Sequence, residues 1–163
     1  MNEKNVSCVN KKNCVACGAC ENICPVHAIV MKYDDHGFMY PYIGEECISC
    51  GKCKGVCQVI RPVKLYSTPD TYAVWNKDEN VRKSSSSGGF FSIIAQYVID
   101  QGGVVFGAIY AEDYRSVYMT QARTMTEVNP MRGSKYVFCE TRSSYQIAKD
   151  YLDNDKYVLY TGT

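Results

Sequence analysis

Cys14-Val15-Ala16-Cys17-Gly18-Ala19-Cys20-Glu21-Asn22-Ile23-Cys24-Pro25 is followed by a second version of itself, Cys47-Ile48-Ser49-Cys50-Gly51-Lys52-Cys53-Lys54-Gly55-Val56-Cys57-Gln58. Every cysteine of the second stretch lies 33 positions after its counterpart (47 − 14, and likewise 50 − 17, 53 − 20 and 57 − 24). The same shift carries Gly18 onto Gly51, Ile23 onto Val56 and Val26 onto Val59, so ligand-type and packing-type residues repeat together. Each copy reads as a loop running into a short helical turn. Between the copies, residues 28–33 and 38–43 read as two strands joined by the turn Asp34-Asp35-His36-Gly37.

Both copies have the spacing C-x2-C-x2-C-x3-C, and the first continues into proline. Three closely spaced thiolates suit three corners of a 4Fe–4S cubane, with the fourth iron held by a cysteine of the other copy. The expected assignment is Cys14, Cys17, Cys20 and Cys57 for one cluster, and Cys47, Cys50, Cys53 and Cys24 for the other. Gly18 and Gly51 allow backbone amides to approach the sulfurs and tune the clusters. Zinc takes paired ligands from separated knuckles, which fits a triple run poorly. Gln58 replaces the proline of the first copy, a change in local geometry that removes no ligand. Cys8 lies in a polar tail outside the pattern. Cys139, after Tyr136-Val137-Phe138, reads as a half-buried small residue, with a role near a redox centre as the sharper alternative. His36 falls in the hairpin turn and His27 beside a cluster loop, and neither is assigned a role.

The bulk properties narrow the setting. Nine of the ten cysteines fall in the first 57 residues, and residues 1–12 show no secretory signal, which argues against a disulfide framework and for a cytoplasmic, low-oxygen setting. Eighteen basic and 17 acidic residues give a net charge of +1 and no case for a nucleic-acid partner. The longest apolar runs, at 90–94 and 104–109, fall far short of the ~20 residues of a membrane helix.

About a hundred residues follow the second copy. Residues 63–70 read as a linker and 71–75 as a strand. Ser84-Ser85-Ser86-Ser87-Gly88-Gly89 reads as a loop opening into a helix from Phe90 to about Gln101, with apolar residues at 90, 91, 94, 95, 98 and 99 and an end at Gly102-Gly103. Residues 104–110 and 117–123 read as strands, 143–153 as a helix capped by Ser143 or Ser144, and 156–160 as a final strand. The expected fold class is an α+β ferredoxin-like two-cluster domain over 1–62, followed by an α/β module over 71–163. That module reads as incomplete, because the last strand enters Gly162-Thr163 and stops.

The second module resembles the beta-subunit family of deazaflavin (coenzyme F420) hydrogenases and dehydrogenases. The resemblance rests on Ser85-Ser86-Ser87-Gly88-Gly89-Phe90-Phe91, Gly102-Gly103-Val104-Val105-Phe106-Gly107-Ala108, Arg132-Gly133-Ser134-Lys135-Tyr136-Val137 and Val158-Leu159-Tyr160-Thr161-Gly162-Thr163. It implies an iron–sulfur flavoprotein oxidoreductase in which two 4Fe–4S clusters feed a flavin, FAD by expectation. The implied cofactor contacts are Ser86, Ser87, Gly88, Gly89, Lys135, Gly162 and Thr163, with flavin bound weakly or not at all unless the chain extends further. A ferredoxin or a hydrogenase or dehydrogenase subunit is the implied partner, and the organic substrate is not specified. The alternative is a non-enzymatic electron carrier whose second module is a docking scaffold. Without the resemblance, residues 84–89 read as a flexible capped loop and Lys135 as an exposed lysine.

Overall fold

A computed structural model describes residues 4–67 and 70–162. The chain divides into two compact units, Met1–Ser67 and Thr68–Thr163, and both are mixed α/β.

In the first unit the repeat is visible in the backbone. Each cluster loop ends in one short helix, α1 (Ala19–Asn22) and α2 (Lys52–Val56), entered through a left-handed glycine, Gly18 at φ 70° and Gly51 at φ 77°. Ala16 and Ser49, which occupy the same place in the two copies, also have positive φ (53° and 54°). A left-handed residue with a Cβ is disfavoured, so its recurrence at the matching position marks a shared loop geometry. The hairpin pairs β1 (Ile29–Tyr33) with β2 (Met39–Ile43) from Ile29↔Ile43 to Tyr33↔Met39. Asp34 closes its turn by accepting the N–H groups of His36 and Phe38 at 3.0 and 2.9 Å, and those bonds hold its carboxyl below the usual range. Glu21 on α1 accepts the N–H of Met31 at 3.0 Å, tying the first helix to the hairpin.

The second unit is a four-stranded sheet between helical layers. Its helices and strands are α3 (Glu79–Lys83), α4 (Phe90–Asp100), β3 (Val104–Tyr110), β4 (Val117–Ala122), α5 (Met125–Val128), β5 (Cys139–Glu140), α6 (Ser144–Asp153) and β6 (Val158–Tyr160). The sheet order is β5-β4-β3-β6, with β3 antiparallel to β4 and parallel to β6. Side chains of β3 alternate between faces. Val105 packs with Ala95 and Val98 of α4, whereas Val104 and Phe106 pack with Ala148 of α6. Cover on both faces explains why β3 is apolar along most of its length. Gly102, at φ 71°, ends α4, and the chain turns back directly into β3.

Three sequence expectations need correction. Residues 71–75 belong to no strand: Asn76 donates its N–H to the Gly88 carbonyl at 2.6 Å, and no ladder develops. Neither Ser143 nor Ser144 caps α6 by its side chain. Ser143 stands at the N-cap without a side-chain bond, and the Ser144 hydroxyl is shared with Tyr160 Oη at 2.6 Å. The polar tail is also more structured than its composition suggests. Residues 5–13 form two 3-10 turns, each capped by an asparagine, and Val6 is 3% exposed.

Candidate metal centres and cofactor site

The thiols of the first unit gather in two groups. A cavity of about 230 Å³ is lined by Cys14, Cys17, Cys20 and Cys57. A smaller one is lined by Cys24, Cys47, Cys50 and Cys53. Each group takes three cysteines from one copy and the last cysteine of the other. Among the described residues no three His, Cys, Asp or Glu side chains converge as a single-ion site; the thiols stand around cavity walls instead.

Five of these thiols, those of Cys20, Cys24, Cys47, Cys53 and Cys57, belong to the unit's core together with Val6, Ala28 and Ile29. Burial pushes the Cys20 thiol up to about 12, with the Cys17 thiol adding to the shift. Burial raises Cys53 as well, against the N–H groups of Val6 and Lys54 that point at its sulfur. Thiols held protonated in this way release their protons when iron replaces them. Cys24 Sγ accepts the N–H of Ala28 at 3.2 Å. Eight thiols around two partly open cavities, with backbone N–H groups aimed at the sulfurs of Cys20, Cys24 and Cys53, form a donor set that fits two 4Fe–4S clusters.

Sequence reading missed the N-terminal contribution to these sites. Val6, Ser7, Val9 and Lys11 line the larger cavity, and Asn5 lines the smaller. The available signal was the pair of Asx caps, Asn5 bonded to the N–H of Ser7 and Asn10 to that of Lys12, both at 2.9 Å. Cys8 is exposed, and its thiol donates to the Asn5 carbonyl at 3.3 Å.

In the second unit the loop that opens α4 and the end of β6 lie at one end of the sheet. Because α4 runs back into β3, and β6 lies parallel to β3, the start of α4 at Gly89 and the end of β6 at Gly162 face the same way. Arg132 links the two quoted segments there, donating from Nη1 to Ser84 Oγ at 2.8 Å. Ser86 and Ser87 are exposed. Gly88 and Gly89 serve a close approach: a Cβ on Gly88 would strike the Val74 carbonyl, and Gly89 has φ 77°. Lys135 Nζ donates to the carbonyls of Pro130 and Arg132 at 2.9 and 2.8 Å, and desolvation lowers its pKa. Gly162 follows Thr161, whose N–H and hydroxyl both reach the Phe106 carbonyl, at 3.0 and 2.8 Å. Thr163 lies outside the described residues.

Two buried polar atoms near this end have no partner among the described residues, Ser92 Oγ and Arg132 Nε. Ser92 lies on the buried stripe of α4 with Ala95 and Val98, and Met131, next to Arg132, packs against that stripe. The N-terminus of α4 has no side-chain cap. Unused donors beside a helix N-terminus suit a phosphate. Cys139 is half-buried, and burial raises its pKa, with Glu140 adding to the shift.

Residues 13–60 match the family model described as a 4Fe-4S dicluster domain. Residues 71–145 match the one described as coenzyme F420 hydrogenase/dehydrogenase, beta subunit N-term. No curated protein matches the chain. Among the described residues no helix is long and apolar enough to cross a membrane. The two matches fall one on each unit, a dicluster model on the first and a beta-subunit N-terminal model on the second, and together they support redox electron transfer.

Proposed function

We propose that the protein is an iron–sulfur flavoprotein oxidoreductase, with a two-cluster domain over 1–62, a linker over 63–70 and a flavin-binding module over 71–163. The observation that carries this reading is the division of the eight thiols between two cavities in crossed sets, one with Cys57 and one with Cys24. Crossed ligation would bind the two copies into one body. The clusters supply single-electron transfer and a flavin would convert it to the two-electron chemistry of an organic substrate.

This chain's part in that chemistry is to hold the charges in place. The first unit excludes water from the thiols through Val6, Ile29 and Ala28. The second offers the α4 N-terminus, Ser92 and Arg132 to a flavin phosphate, FAD being the expected form. A ferredoxin-type protein or a hydrogenase subunit is the proposed electron partner.

The test is titration of FAD into the anaerobic, cluster-loaded protein, followed by fluorescence. Weak, saturable binding is expected, and Arg132→Ala should weaken it further, about tenfold or more, the loss of a charge-assisted hydrogen bond. Absence of binding, or binding indifferent to Arg132, would favour the second reading, an electron carrier whose α/β module is a scaffold. The packing of Gly88 against Val74 and the tying of Lys135 to Pro130 and Arg132 favour that reading.

A further inference from the structure

The segment before the dicluster match, which begins at residue 13, reaches both thiol sites with different chemistry. Asn5 uses both ends of its carboxamide. Its Oδ1 accepts the N–H of Ser7 at 2.9 Å, and its Nδ2 donates to Cys47 Sγ at 3.8 Å. The first bond fixes the orientation, because only the oxygen can take a backbone N–H, so the NH2 faces the sulfur. Val6 follows as a buried wedge: its side chain lines the larger cavity while its N–H points at Cys53 of the smaller site. Six residues after Asn5, Lys11 lines the larger cavity and places Nζ 4.9 Å from the ring centre of Tyr40, which lines the same space.

A donor to a ligating sulfur, or a positive charge beside a cluster, stabilises the extra negative charge of the reduced form. From these contacts we infer that residues 5–13 are a strap that sets the two cluster potentials separately. Asn5 raises that of the site with Cys24, Cys47, Cys50 and Cys53, and Lys11 raises that of the site with Cys14, Cys17, Cys20 and Cys57. Asn5 and Lys11 are positioning residues that act through the sulfurs and the cavity wall. The inference rests on the two-cluster reading.

The experiment is a redox titration of the full, anaerobically loaded chain, monitored by electron paramagnetic resonance. Asn5→Asp keeps the acceptor that caps the first turn but replaces the amide donor with a negative charge. It should make one midpoint potential more negative by about 59 mV, a tenfold change in the reduced-to-oxidised ratio of a one-electron couple, and leave the other in place. Asn5→Ser, a neutral residue that also caps, should shift the same centre in the same direction by less. Lys11→Gln should lower the other centre alone, and the Asn5→Asp, Lys11→Gln pair should lower both. Unmoved potentials, with only faster amide exchange over 5–13, would reduce the strap to a structural role and overturn the inference. So would either single variant shifting both centres equally. A wild-type chain showing fewer than two titrating centres overturns the two-cluster reading itself.

Discussion

The two halves of this chain solve the problem of a small core in different ways. In the second unit, β3 is buried on both faces, with Val105 under α4 and Phe106 under α6, as in an ordinary layered α/β module. Among the described residues of the first unit the buried aliphatic side chains reduce to Val6, Ala28 and Ile29, and thiols make up much of the rest. Below about 70 residues a hydrophobic core alone is seldom sufficient, and metal ligation commonly supplies what is missing. The first unit should thus depend on its clusters and the second should not.

Removing iron with a chelator under reducing conditions is expected to have the largest effect. Amides of β1, β2 and the two cluster helices should lose hydrogen-exchange protection, while those of β3 and β4 keep theirs. Simultaneous loss in both units would break the comparison. Cys57→Ala comes next: it should damage the cluster held by Cys14, Cys17 and Cys20 and spare the one with Cys24. Spectra in which the loss instead falls on the site of Cys47, Cys50 and Cys53 would show that each copy keeps its own fourth ligand.

Phe106→Ala sharpens the comparison from the other side. This residue is 1% exposed and stacked on Tyr160 at 5.4 Å. Truncation should destabilise the second unit by about 3–5 kcal/mol in denaturant unfolding and leave the iron content unchanged. The smallest expected effect is alkaline. Desolvation raises the Tyr160 hydroxyl from its ordinary 10 to about 12, so the folded state holds this proton more tightly than the unfolded state. Its contribution is complete below pH 10 and is lost as pH rises through about 12. Unfolding of the second unit followed across that range should show the decline, and Tyr160→Phe should flatten it.

The cluster domain was legible because ligand chemistry fixes spacing: a thiol must recur at set intervals to reach a cubane, and the repeat preserved those intervals. Strands β3 and β4 and helix α4 were legible from their apolar patterns. The strap was not. Its turns last three residues each, too short for any periodicity, and the burial of Val6 depends on cysteines 18 and 47 positions away (24 − 6 and 53 − 6). Residues 71–75 misled for a related reason. Tyr72, Val74 and Trp75 have strand composition, but a strand exists only where another pairs with it, and here the neighbouring backbone is the Gly88 loop. The residues proposed for a flavin fall between these cases: the glycines were read from a motif, whereas Ser92 and Arg132 stand out only through the bonds they leave unmade.

The most direct test of the account is the iron and acid-labile sulfide content of the protein made and handled without oxygen. Two complete quartets predict about eight of each per chain. About four of each, or a single zinc in their place, would contradict it.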